Sequence, residues 1–209
     1  MAATLFILTV VRQQLNDLGA AYYDDSILLP YLNETITEII DLKPDAYNVT
    51  AAINLVAGPS QSLPTGSYDI LDAVCNTDRA TGATFGQSLT MIEKAHLDFL
   101  VPGWLTFPAV SLASYVIKDD RTPRSFWVFP PNDATGAVSL IVSQKPADLL
   151  QSSDAFPLDD SYRPAAIDGT IYRACSENSN IAGNMTKASA YYSKFLVDLG
   201  IQPQQKGGQ

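Results

Sequence analysis

The sequence predicts an α+β fold, a helical bundle from the N- and C-terminal helices with an antiparallel β domain inserted between them. Three observations predict it. Apolar residues recur at three- and four-residue steps near both ends, most clearly at Met185, Ala188, Tyr192, Phe195, Leu196 and Leu199. Between Tyr47 and Val142 the period falls to two, as where Val49, Ala51, Ile53 and Leu55 alternate with Thr50, Ala52 and Asn54. Two apolar stripes at opposite ends of a chain bury each other best as a bundle, which leaves the strands as a separate sheet layer. The expected organisation is 1–46 with 158–201 for the bundle, 47–157 for the β domain and 202–209 for an extended tail.

The first helix is expected over Leu5–Leu18, on the stripe Leu5, Leu8, Val11, Leu15 and Leu18, with Gly19 as its stop. Asp24, Asp25 and Ser26 offer an N-cap for a second helix over Ile27–Asp41, which places Pro30 near the first turn. Pro44 ends it, because proline disfavours the helical region for Lys43. A strand follows at Val49–Leu55, then punctuation at Gly58-Pro59 and Pro64-Thr65-Gly66, then a strand at Tyr68–Cys75. Asp78–Gly86 reads as a loop, Leu89–Ile92 as a strand, and Glu93–Leu100 as a short helix stopped by Pro102-Gly103. Strands are expected at Leu112–Ile117, Ser125–Phe129 and Ala137–Val142, with a turn marked by Pro130-Pro131 and Asn132-Asp133. Two helices close the chain, Tyr162–Glu177 with Ser161 as cap, and Ile181–Leu199. Gly200 sits where a C′ glycine belongs, and Ile201 can turn back on Leu196 in a Schellman arrangement.

Composition narrows the function. With 209 residues, 46% of them hydrophobic, the chain is long enough to bury roughly 70% of its unfolded surface. Acidic residues outnumber basic ones by 22 to 13, for a net charge of -9. That argues against gripping a phosphate backbone and against docking on anionic lipid, both of which need clustered Lys and Arg. Cys75 and Cys175 follow no motif spacing and read as reduced, buried thiols, which points to a cytoplasmic site of synthesis. The apolar run Leu5–Val11 lacks a basic flank before it and is too short for a membrane span. The sequons at Asn33, Asn48 and Asn184 are read as chance matches.

No catalytic constellation emerges. His96 is the single histidine and belongs to the short helix beside Lys94 and Asp98, where solvation explains it. Zinc would want several His or Cys at close spacing. No Gly-x-Ser-x-Gly elbow presents a serine, and Cys175 sits on an apolar stripe that disfavours a thiolate for any pairing with His96. The acidic pairs Asp24-Asp25 and Asp159-Asp160 precede helices as caps, and Asp119-Asp120 sits in a turn. No phosphate loop or dinucleotide fingerprint is present. Phe126, Trp127 and Phe129 could stack on bases, but Arg121 and Arg124 flank them without interleaving, so a sheet core suits them better. The reading is a protein without enzymatic activity or cofactor.

Several segments, in order, resemble a family of head-to-tail adaptor proteins of tailed bacteriophages. They are Tyr31-Leu32-Asn33, Leu42-Lys43-Pro44-Asp45-Ala46-Tyr47, and Arg121 through Pro131, the run Arg-Thr-Pro-Arg-Ser-Phe-Trp-Val-Phe-Pro-Pro. The C-terminal part adds Leu158-Asp159-Asp160-Ser161-Tyr162, Tyr172-Arg173-Ala174, Ala182-Gly183-Asn184, and Tyr191-Tyr192 with Leu199-Gly200. A looser likeness links the chain to tail tubular proteins of short-tailed phages. The resemblance implies a structural subunit of the virion, made in the host cytoplasm and placed at the head–tail junction. It implies a ring of about twelve copies, with the portal protein on one side and a downstream tail protein on the other, a nozzle or a tail-tube or terminator component. Double-stranded DNA would pass through the ring without specific binding, and no membrane is involved. The alternative, from another class, is a tail-associated module that binds a host surface ligand through its β domain.

The tail adds one expectation about contact. Ile201, Gln202, Pro203, Gln204, Gln205 and Lys206 follow a sharply ended helix and have too little apolar content to fold alone. Within the resembling family the neighbour that would order them is the portal.

Overall fold

A computed structural model describes residues 3–177 and 183–202. In chain order the elements are α1 (Ala3–Gln14), α2 (Asp25–Leu42), β1 (Asn48–Asn54), β2 (Gly58–Ser62), β3 (Ser67–Thr77), β4 (Thr84–Ser88) and β5 (Thr90–Glu93). There follow α3 (Lys94–Leu100), β6 (Tyr115–Lys118), β7 (Ser125–Asn132), β8 (Ala137–Gln144), α4 (Arg163–Glu177) and α5 (Asn184–Asp198), with single 3-10 turns at Pro44–Ala46, Trp104–Thr106 and Asp160–Tyr162. The fold is α+β. The chain divides into two compact units, Met1–Ala46 with Pro146–Gln209, and Tyr47–Lys145.

The first unit is built from α1, α2, α4 and α5. Its core holds Ile7, Leu8 and Val11 from α1, Leu28, Leu32, Ile36, Ile39 and Ile40 from α2, Ile171, Ala174 and Cys175 from α4, and Phe195 from α5. The stripe on α1 is rotated from the expected one, since Leu5 and Leu18 are exposed while Thr4 and Ile7 are buried. α1 also ends at Gln14, short of Leu18. Asn16 takes a left-handed φ of 58°, and the buried Asp17 carboxylate accepts the N–H groups of Ala21, Tyr22 and Tyr23 at 2.9, 3.0 and 2.7 Å. A carboxylate, not Gly19, organises this turn.

Asp24 caps α2 by accepting the Ile27 N–H at 3.2 Å. Pro30 falls in the second turn, not the first, so the Ser26 carbonyl lacks its helical donor. Ahead of α4, Asp159 caps the 3-10 turn Asp160–Tyr162, its carboxylate accepting the Ser161 N–H at 2.9 Å, so Ser161 is a donor there rather than the cap. Pro164 then falls in the first turn of α4, where its missing N–H has no helical partner to lose. Gly169 lets α4 approach its neighbours. A Cβ there would lie 2.5 Å from Thr35 Cγ2 on α2 and 3.1 Å from Phe195 Cδ2 on α5. The start expected for the last helix at Ile181 lies outside the described residues, and α5 begins after Gly183, which takes a φ of 88°.

The chain rejoins this unit at Pro146, ahead of the expected boundary at 157. The intervening segment has no periodicity to read. It is held by Asn33, whose amide donates to the Leu149 carbonyl at 3.0 Å and accepts the Leu149 N–H at 2.9 Å. Leu149, Phe156 and Leu158 are buried along it.

The second unit has two four-stranded sheets, in the orders β1-β8-β3-β4 and β2-β7-β6-β5. Every pair is antiparallel except β5 with β6, which α3 connects as a crossover. Ile53, Ile70, Leu140 and Val142 of the first sheet share one core with Val116, Phe126 and Val128 of the second. On the other face of the second sheet, Ile117 packs with Leu97 of α3 and Trp104, flanked by Trp127 and Phe129. The strand alternation of β7 thus splits its aromatics between two cores.

Three strands depart from expectation. β2 forms where Gly58-Pro59 reads as punctuation, because β7 supplies its pairing and the buried Gln61 side chain bonds the Val56 backbone. β4 occupies part of the expected loop 78–86. β7 runs on through Pro130-Pro131 to Asn132, where the register against β2 shifts and the Pro131 carbonyl still accepts the Val110 N–H at 2.9 Å. The turn lies beyond, around Asn132, whose amide bonds the carbonyls of Val110 and Ser111 and the N–H of Ala134.

Candidate functional site

In the helical unit the polar chemistry gathers where α2, α4 and α5 meet. Arg173 on α4 reaches Glu38 at 2.5 Å, Thr35 Oγ1 at 3.1 Å and Glu34 at 3.3 Å, all on α2. It lines a cavity of about 560 Å³ with Tyr31, Glu38, Tyr172, Glu177 and Tyr192. The Tyr172 and Tyr192 rings lie 4.8 Å apart, and the Arg173 guanidinium stands 5.8 Å from the Tyr172 ring. Burial first, and then the carboxylates Glu177 and Glu38 respectively, hold the phenols of Tyr31 and Tyr192 above the usual tyrosine range, so both stay protonated. The Arg173 guanidinium, bonded to Glu34, Thr35 and Glu38, makes a clamp between α2 and α4.

A second polar link joins α4 to α5. Asp168 is 2% exposed, and Lys194 Nζ lies 2.7 Å from one of its oxygens and 3.0 Å from the other. Burial pushes the Asp168 carboxyl up, Lys194 pulls it down, and Asp198 pushes it up again, with a net rise. Lys194 is held above the usual lysine range by the same carboxylate.

α5 ends in a complete Schellman motif. Gly200 has a φ of 71°, its N–H donates to the Val197 carbonyl at 2.8 Å, and the Ile201 N–H donates to the Leu196 carbonyl at 2.8 Å. Ile201 is half-buried and Gln202 exposed. Pro203, Gln204, Gln205 and Lys206 lie outside the described residues.

The β unit carries a different surface. Trp104, Phe107 and Tyr115 surround Phe129 at centroid distances of 6.4, 5.3 and 6.2 Å. Phe99 and Leu100 at the end of α3, and Leu105, Phe107 and Leu112 between α3 and β6, are exposed, Phe99 to 83%. A cavity of about 550 Å³ in the same unit is lined by charged residues that include Lys94, Asp98, Lys118 and Asp120. Lys94 meets Asp98 at 2.6 Å, and Lys118 meets Asp69 at 2.7 Å.

The residues weighed for chemistry from sequence fall apart. His96 is exposed on α3 in the β unit, while Cys175 is buried in the helical unit with its thiol pushed up by burial. Cys75 is likewise free and buried. Asp24 caps α2, and Asp25 pairs with Arg12. Asp159 caps the turn before α4, and Asp160 meets Arg163 at 2.5 Å. Asp119 accepts the Arg121 N–H at 2.9 Å in its turn. Among the described residues no three His, Cys, Asp or Glu stand together as metal ligands, and no helix is long and apolar enough to cross a membrane. Sequence reading missed the Arg173 clamp and the Asp168–Lys194 pair, because both join residues of different helices. It also missed the exposed apolar run, whose signal was Leu, Trp and Phe residues without either period.

The SU10 adaptor protein family matches the chain over residues 6–208, which takes in both units. No curated protein matches it.

Proposed function

The chain belongs to the SU10 adaptor protein family, and on that premise we propose that it is the head-to-tail adaptor of a tailed bacteriophage. In this reading it is a structural subunit of the virion. About twelve copies form a ring at the head–tail junction, bound to the portal on one side and to a downstream tail protein on the other, and DNA passes through. The observation that carries the reading is the family match across both units, 6–208, and not across one alone. The site chemistry supports it. Ionic groups in the helical unit are spent on holding α2, α4 and α5 together, and the exposed apolar residues of the β unit are of the kind that mark protein contacts.

The proposed portal contact is the segment Ile201–Lys206, which follows the Gly200 turn in sequence. The free protein is a monomer in this reading, with ring interfaces too weak to hold until the portal orders them. Light scattering on mixing with the purified portal protein tests it. A ring on the portal is the expected result, and absence of co-assembly would rule the adaptor reading out.

A further inference from the structure

Strand β1 is an open edge. Among the described residues it pairs within its sheet with β8 alone, and that ladder is unbroken from Asn48 opposite Ser143 to Asn54 opposite Ala137. The Gln144 N–H donates to the Tyr47 carbonyl, and the Leu55 N–H donates to the Gly136 carbonyl. In that register the odd-numbered residues exchange their bonds with β8. The N–H and C=O groups of Thr50 and Ala52 therefore point away from β8, and both residues are exposed.

The other three edges of the unit are protected. β2 has Pro59 and a register shift, β4 has a register shift against β3, and β5 is four residues long and ends in Glu93. β1 has no charge, no proline and no bulge over its seven residues. Val49 and Ala51, on its inner face, are only partly buried although they pack against the core between the sheets. The backbone ladder and the core are both unfinished at the same place.

We propose that β1 receives an added strand from a different protein, an extended segment of the adaptor's tail-side neighbour. The proposal rests on the adaptor reading above. A row of alternating N–H and C=O groups selects extended polypeptide over any other ligand. Edge to edge, a second copy of this chain does not fit. β1 against β1 is a two-fold contact that closes as a dimer, a ring needs a heterologous contact, and the remaining edges are protected. The portal contact proposed at Ile201–Lys206 belongs to the helical unit, which leaves this edge for the other neighbour. The incoming segment is one that places apolar, β-branched side chains beside Val49 and Ala51.

The test uses the full chain with the portal and tail proteins of the same phage. Thr50→Pro removes an N–H that β8 does not use, a position where an edge strand tolerates proline, and Thr50→Ala keeps that N–H. Thr50→Pro is expected to join the portal normally but to bind the tail protein roughly tenfold more weakly, with Thr50→Ala like wild type. Hydrogen exchange on the wild-type chain is a second measurement that does not depend on the variant folding. The Thr50 and Ala52 amides are expected to slow when the tail protein is added. Undiminished tail-protein binding by folded Thr50→Pro, or unchanged exchange at both amides in the complex, would overturn strand addition and leave the adaptor reading standing. A wild-type dimer abolished by Thr50→Pro would overturn it by giving the edge to a second copy. Wild-type chain that bound neither portal nor tail protein would sink the adaptor reading and strand addition together.

Discussion

Lys194 on α5 holds Asp168 on α4 in an ion pair whose two ends differ sharply in exposure, the carboxylate side chain at 3% and the lysine at 61%. The pair therefore works as a lid on a buried charge. Removing the lysine strands a carboxylate in the helical core beside Asp198, whereas removing the carboxylate releases a lysine to water. Lys194→Met is expected to destabilise the protein by about 2 kcal/mol, less than the roughly 3–5 kcal/mol of a fully buried broken pair because water reaches the lysine. Asp168→Asn is expected to cost less. Urea unfolding of the two variants checks the order, and equal losses would show that the carboxylate is not the penalised group.

The same pair makes a pH prediction. The folded-state carboxyl of Asp168 lies above its ordinary value of 3.8, so the folded chain binds that proton more tightly than the unfolded chain. Its titration alone therefore favours folding as pH falls through the folded value toward 3.8. Lys194 is raised above 10.5, so its contribution is full below that value and is lost as pH rises through the folded one. Lys194→Met should recover part of its lost melting temperature under mild acid and lack the alkaline loss of the wild-type chain. Melting curves across pH measure both.

Gly169→Ala is expected to destabilise by about 1–3 kcal/mol despite alanine's better helix propensity, because overpacking exceeds that gain. The new methyl would meet Thr35 Cγ2 at 2.5 Å, and this neighbour is a branched side chain with little room to turn. The double variant Gly169→Ala with Thr35→Ser removes that methyl group and is expected to restore part of the loss in denaturant unfolding.

A chain ending at Gly200 is expected to keep its helix content, losing only the bond from Ile201 to Leu196, about 1 kcal/mol. It should bind the portal more weakly than the full chain. Circular dichroism and portal co-sedimentation measure the two effects, and undiminished sedimentation would place the portal contact elsewhere.

With a net charge of -9, the chain should show negligible affinity for duplex DNA at physiological salt. A fluorescence titration at two salt concentrations checks this. A micromolar complex that weakens steeply with salt would reveal a basic face.

How much was legible follows from the range of each interaction. α5 and its end were readable because the apolar stripe, Gly200 and the turn of Ile201 onto Leu196 all lie within a few residues of one another. β1 was readable because strict alternation marks a face without naming a partner. β2 was not, since Gly-Pro-Ser-Gln-Ser carries no strand signal, and β7 imposes the strand by pairing with it. The continuation of β7 through Pro130-Pro131 likewise depends on Val110, which donates to a proline carbonyl from far along the chain.

Sequence alone determined that helical segments flank a β region along the chain, and that Asp24, Asp159 and Asp119 serve caps and a turn. Each of those depends on local spacing or on residue type. Only the tertiary structure decided that Asp168 is a buried charge needing Lys194, that Arg173 clamps α2 to α4, and that β1 keeps one side free. Those properties are set by what lies across a helix or beside a strand, and burial and pairing there depend on neighbours that residue order does not specify.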